Sequence, residues 1–294
     1  MQYTKAQIVV SNIGVVLLLS LFPACILTQT GNLNEENEPV VIGYGENLFK
    51  LGELLYADNF EAMDNWIPQV QSSNAETEYK IEFSNGYMDV LMPDRGASIW
   101  FRHKLSGPVT IVYDVTAPAN NDHENNTVPR DINSFWHASD PMIPSNILNS
   151  SNDYTGAFST YHKQHGYYAS IGGRNNTTTR FRRYPRMTRG EPVKQIALSD
   201  KDNLEDYLIK PDSTHTIQLV AYKDVIQYIV DGKVFYEIKE GDQVTLELAD
   251  GEEGQALYTS EQFPPYTEGW FGFRLVRSHH LYSNFRVYRL VPAK

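Results

Sequence analysis

From about residue 46 onward, apolar and polar residues alternate in short runs broken by turn residues, and no long segment keeps a 3.6-residue period. The run "YKIEFSNGYMDVLMP" sets alternating apolar residues on both sides of Asn85-Gly86. That dipeptide suits a two-residue hairpin because both positions tolerate positive φ. "ASIWFRHKLSGPVTIVYDVTAP" predicts two more strands around Ser106-Gly107-Pro108. "HTIQLVAYKDVIQYIVDGKVFYEI" predicts three, with Asp231-Gly232 as a turn, and "GWFGFRLVRSHHLYSNFRVYRL" predicts a closing pair. Strands with turns at short regular intervals predict an all-β sandwich, one domain over residues 46–294.

Residues 1–25 read differently. Lys5 precedes the apolar stretch "IVVSNIGVVLLLSLFPAC", which suits an export signal and is short for a spanning helix. Cys25 is the only cysteine of the chain and closes that stretch, resembling a bacterial lipoprotein signal in which this residue is lipidated. The expectation is an outer-membrane or cell-surface lipoprotein touching the membrane only through its lipid. Secretion or periplasmic release after cleavage near Ala24 is the alternative. Residues 26–45 are polar and Pro/Gly-punctuated, as a flexible tether would be. With no cysteine in the domain, disulfide and thiolate chemistry are excluded there.

Composition adds one constraint. A hydrophobic content of 41% suits a cored globular protein, and a net charge of -11 argues against general nucleic-acid or anionic-membrane binding. Against that background residues 161–190, "YHKQHGYYASIGGRNNTTTRFRRYPRMTRG", stand apart. They hold six arginines, four tyrosines and two histidines. A local concentration of guanidinium groups on an acidic protein points to an anionic ligand, the competing reading being a solvated, edge-protecting strand face. Gly172-Gly173 reads as a tight turn, since no phosphate-loop lysine or serine follows.

Strand parity orders these residues, because positions two apart share a face. Arg180 and Arg182 share one face, and Tyr168 and Ser170 another. In "DINSFWHASDP", Asn133, Phe135 and His137 fall together, opposite Trp136. If the three strands are neighbours, histidine, tyrosine and arginine converge on one groove. The bland reading of each tyrosine is cross-strand packing, and of each histidine a hydrogen-bonded surface residue.

The order of "LLYADNFEAMDNW", "DINSFWHASDP", "VIQYIVDGKVFYE" and "GWFGFRLVRSHHLYSNFRVYRL" resembles a concanavalin-A-like jelly roll over most of residues 50–290. "YYASIGGRNNTTTRFRRY" resembles exported bacterial proteins of polysaccharide-degradation systems, in particular jelly-roll polysaccharide lyases that cut ulvan or similar uronate-containing, sulfated glycans. The resemblance implies β-elimination on an anionic polysaccharide. Cationic forks neutralise the uronate carboxylate, a base takes the C5 proton, and an acid protonates the leaving O4. It implies Arg180 and Arg182 as neutralising groups, assisted by Asn133 or Asn175. It implies His165 or His137 as base and Tyr168 as acid, with Arg174, Trp136 and Tyr184 as further substrate contacts.

Two other functions compete. A retaining glycoside hydrolase on the same fold needs paired carboxylates, for which Asp131 and Asp140 are the nearest candidates. A surface glycan-binding protein needs only stacking aromatics, such as Trp100, Trp136 and Tyr184, beside basic groups. No cofactor is required by any of the three. Calcium is a candidate structural ion at Asp58 and Asn284, or in the acidic loop at 120–126, with solvated acids the bland reading.

Overall fold

The computed structural model describes residues 48–74, 77–119, 129–150, 153–186, 194–248 and 251–294. The expected signal at 1–25 with Cys25, the tether at 26–45 and the loop at 120–126 lie outside the described residues.

Sixteen strands occur among the described residues. They begin with β1 (Phe49–Asp58), β2 (Trp66–Val70), β3 (Lys80–Ser84), β4 (Tyr87–Phe101) and β5 (Leu105–Ser106). Next come β6 (Val109–Thr116), β7 (Ile132–Ser139), β8 (His165–Gly172), β9 (Thr178–Tyr184) and β10 (Gln195–Leu198). The last are β11 (Thr214–Tyr222), β12 (Val225–Val230), β13 (Lys233–Ile238), β14 (Gln243–Glu247), β15 (Glu253–Leu257) and β16 (Glu268–Pro292). The strands form one continuous antiparallel sheet.

Two long strands fold that sheet into a sandwich. The first half of β16 pairs with the second half of β4 and with β7, and β8, β9, β10, β14 and β15 follow outward to complete the front layer. The second half of β16 pairs with β6 and β1, and β11, β12 and β13 extend the back layer. The crossing point is a register shift between Val276 and Ser278, facing the Met92–Gly96 stretch of β4. The expected closing pair is therefore one bent strand. Arg277 (φ 46°) and Asn284 (φ 53°) take left-handed conformations at bulges, where a hairpin reading had assumed a turn.

The expected hairpins are present. Asn85-Gly86 (φ 53° and 80°) joins β3 to β4, and Asp231-Gly232 (φ 50° and 75°) joins β12 to β13, each with both residues at positive φ as a two-residue turn demands. Between the layers Ile99, Trp136, Phe181 and Phe273 of the front meet Ile111, Leu219, Tyr228 and Val287 of the back, all buried. Burial of so many aromatic and branched side chains supplies the main driving force for the sandwich.

The front layer carries a second apolar cluster on its outer face. Trp100, Phe135, Tyr168, Tyr184 and Trp270 lie beneath a strap whose described residues are 141–150 and 153–164, which contributes Ile147, Tyr154, Phe158 and Tyr161. Gln69, 1% exposed, anchors the strap. Its amide nitrogen donates to Ile147 O at 2.9 Å, while its oxygen accepts from Trp100 Nε1 at 2.8 Å and Tyr161 Oη at 2.6 Å. Gly156 lets the strap lie against β2, since a Cβ there would stand 2.4 Å from Gln71 N. Gly272 does the same for the rings. Trp100 and Phe135 stack over it at 5.7 Å, and an added Cβ would come within 2.6 Å of the indole.

Candidate functional site

The outer face of the front layer holds the expected residues in two rows. Across β16, β7, β8 and β9 the first row runs Arg274, Asn133, Ser170, Arg180. The second runs Gly272, Phe135, Tyr168, Arg182. Parity and neighbouring pairing thus bring Asn133, Tyr168, Arg180 and Arg182 to one face.

Beyond Arg182 that face opens into a cleft of about 240 Å³ lined by Arg174, Arg180, Arg182, Arg186, Glu247 and Glu253, among others. The arginines differ in their partners. Arg180 Nη1 donates to both oxygens of Asp202 at 2.5 Å, and Arg186 lies 3.5 Å from Glu247. Arg182 and Arg174 have no ion pair among the described residues. The Arg182 guanidinium stands 5.7 Å over the Tyr168 ring, and its Nε is buried without a described hydrogen-bond acceptor. Arg174 and Asn175 sit in the left-handed turn between β8 and β9, both exposed, with φ of 49° and 58°.

Two titratable rings interact with Arg182, though neither is among the residues that line the cleft. Tyr168 is 4% exposed, and burial pushes its phenol above the ordinary range although Arg182 pulls it back. Its hydroxyl is therefore a proton-bearing group at neutral pH. His162, at the end of the strap, contacts Phe158 at 5.0 Å and Tyr184 at 6.4 Å. Its carbonyl accepts from Arg186 N at 2.7 Å. Burial first, then the charges of Arg186 and Arg182, lower its pKa to about 4, so the imidazole is neutral at pH 7. Behind them, Arg274 is 2% exposed and donates to Ala97 O at 2.7 Å. Burial lifts Asp131 to about 6, against the pull of Asn133, Arg274 and Arg130.

Several expected residues lie elsewhere. His137 leaves the Asn133 face because β7 bulges between Trp136 and Ser139, with His137 at φ 47°. It is buried, its Nδ1 is 2.6 Å from Tyr266 O, and burial lowers its pKa to about 4. His165 shares the face of Tyr167, opposite Tyr168, and stacks on Tyr266 at 5.4 Å. The two histidines expected as bases are thus parted from the tyrosine expected as acid. Trp136 belongs to the core between the layers, against Tyr167 and Phe181. Trp100 and Tyr184 are wholly buried under the strap, so neither offers a stacking platform. Asn175 is turned to Arg130, whose Nη1 donates to its side-chain oxygen.

The carboxylates have structural partners as well. Asp140 caps the strap, accepting from Met142 N, Ile143 N and Tyr154 Oη at 2.8, 2.9 and 2.6 Å. Asp58 accepts from Phe60 N, Asn65 Nδ2 and Trp66 Nε1 at 2.7 to 3.0 Å, which ties it to the start of the chain's second strand. Asn284 donates instead to Asp114 at 2.8 Å. Among the described residues no group of three or more His, Cys, Asp or Glu could hold a metal ion, and no helix is long and apolar enough to cross a membrane.

The chain matches one family model over residues 91–248, described as a domain of unknown function (DUF6250), a span covering more than half of its length. It belongs to the DUF6250 family. The DUF6250 span contains the strap, β7 to β10 and the arginine cleft as far as Glu247. No curated protein matches the chain. Among solved structures it is similar to a protein of unknown function with a galectin-like fold from Bacillus subtilis, at 14% identity and TM-score 0.58, covering 83% of this chain and 100% of that one. It also matches an endo-β-1,3-glucanase from Pyrococcus furiosus at 12% identity and TM-score 0.44 (82% and 95% covered). A third is carbohydrate-binding module CBM66 from Bacillus subtilis, at 10% and 0.41 (77% and 94%). The first, with its galectin-like fold, bears out the expected concanavalin-A-like jelly roll, and likenesses at these identities speak to fold alone.

Proposed function

We propose that this DUF6250 protein binds a uronate-containing, sulfated polysaccharide of the ulvan type and cleaves it by β-elimination. The observation that carries the reading is Arg182, a half-buried guanidinium without an ion pair among the described residues, which stands over the proton-bearing Tyr168 and whose charge acts on the neutral His162. A planar fork of this kind matches a carboxylate or sulfate. Arg182 would hold the carboxylate of the reacting sugar and stabilise the enolate-like charge that develops at C5. His162, neutral before the ligand arrives, would accept the C5 proton. An anion seated on Arg182 and Arg186 cancels two of the charges that depress this imidazole, so binding itself raises its affinity for a proton. Tyr168 would deliver the proton to O4.

A second reading, binding without turnover, is favoured by the burial of Tyr168 beneath Phe158. Incubation with a panel of acidic polysaccharides separates the two. Elimination yields an unsaturated uronate with new ultraviolet absorbance, lost in both His162→Gln and Tyr168→Phe. Binding with no such product leaves the second reading, and neither binding nor product removes both. The reading also includes export and lipidation at Cys25, which radiolabelled fatty acid would report in the wild type and not in Cys25→Ser.

A further inference from the structure

We infer that the basic surface does not end at the cleft but continues as a track, from Arg186 along β9 to Arg277, that takes an extended glycan with well-spaced anionic groups. This rests on the acidic-glycan reading and adds the form of the ligand. Arg180 and Arg182 lie on one face of β9, about 7 Å apart at the usual strand rise. At the near end of that strand the Gly172–Asn176 turn carries Arg174 on the wall of the cleft. The neighbouring Asn175 accepts a hydrogen bond from Arg130 Nη1, and Arg130 Nε donates to Arg277 O at 2.8 Å. Arg130 and Arg277 therefore adjoin the turn, and Arg277 is exposed at the bulge where β16 changes layer. Burial and then, opposing Asp131, the charge of Arg277 lower the pKa of Arg130, as closely spaced cations do.

The pairing along this track alternates. Asp202 offsets Arg180, Glu247 lies beside Arg186, and Asp131 is close enough to Arg130 to interact with it. Arg277, Arg174 and Arg182 have no ion pair among the described residues. Gly173 pairs with Thr178, so Arg174 and Arg182 are separated by about 13 Å or more of strand. Unpaired arginines spaced this way along the backbone, with neutralised ones between, match a polymer whose charges are separated by uncharged sugars. A polymer charged at every unit would meet Asp202 and Glu247 along the same path.

Titration calorimetry on the full chain tests this, using oligosaccharides graded from disaccharide to decasaccharide and prepared from an acidic polymer that the protein binds. Affinity is expected to keep rising past the length that fills the cleft. Arg277→Gln is expected to weaken the longest oligomers about tenfold, the loss of one charge-assisted contact. It should also reduce the slope of log K against log salt by about one. Arg277→Asn, which tolerates the left-handed backbone, provides a second variant, and a thermal melt of each checks folding. Affinity that plateaus at cleft length and ignores both variants would overturn the track while leaving the cleft. Failure of every acidic glycan to bind at any length would overturn the proposed function itself. Equal binding of single-stranded DNA of matched length would overturn the spaced-charge ligand.

Discussion

The outer face of the front layer is one surface with two fates. On the β16, β7 and β8 side, the strap seals Trp100, Phe135 and Tyr161 into a second core. On the β9, β10 and β14 side the same face is open among the described residues and carries Arg180, Arg182, Thr245 and Glu247. The strand backbone is alike in both halves; what differs is whether a loop returns to cover it. The covered half contributes stability through apolar burial, while the open half keeps charges that burial would make costly. Tyr168 and His162 sit on the seam, where burial raises the phenol's pKa and lowers the imidazole's, the arginine charges opposing the first shift and adding to the second.

The comparison makes graded predictions. Trp100→Ala should cost about 3–5 kcal/mol of folding stability, because it empties the centre of the covered half. Chemical denaturation measures it, and a loss under 1 kcal/mol would mean the strap is not packed as described. Next in size is a pH effect at the seam. The acid limb of kcat/KM reports the free-enzyme base, and for His162 it should fall near pH 4, the activity being lost as pH drops through that value. A limb near the unperturbed histidine value of about 6.5 would point to another base. The same sign governs stability. His137, neutral when folded and with a pKa near 4, stabilises the fold fully above its unfolded value, and that contribution declines as pH falls from there toward 4. His137→Asn should flatten this part of a stability-versus-pH curve. Smallest is Arg186→Ala. A partly exposed pair 3.5 Å from Glu247 contributes about 0–1 kcal/mol, so the melting temperature should barely move.

Sequence alone carried the fold well because its signals were local. Asn85-Gly86 and Asp231-Gly232 declared their hairpins by residue type, and parity set Arg180 with Arg182 and Tyr168 with Ser170. Parity also held the warning about His165, which counts with Tyr167. The site was less legible for four physical reasons. A bulge inserts a residue without a sequence mark strong enough to read, and at Trp136–Ser139 it turned His137 into the core. The strap is neither helix nor strand for most of its length, so periodicity was silent about the aromatic face it covers. His162 lies outside any strand, one residue past a 3₁₀ turn, and only its closeness to the arginine run could have drawn attention to it. Asp202, Glu247 and Arg274 entered the site through pairings distant in sequence.

The open half is the proposed site for an acidic ligand, whereas the covered half is core. The most direct test of that proposal is Arg182→Ala, followed by titration with acidic polysaccharide and by chemical denaturation of the same sample. Affinity should fall by about tenfold or more, from one lost charge-assisted contact, with stability changed by less than about 1 kcal/mol. Undiminished affinity, or a loss of binding explained wholly by unfolding, would contradict the proposal.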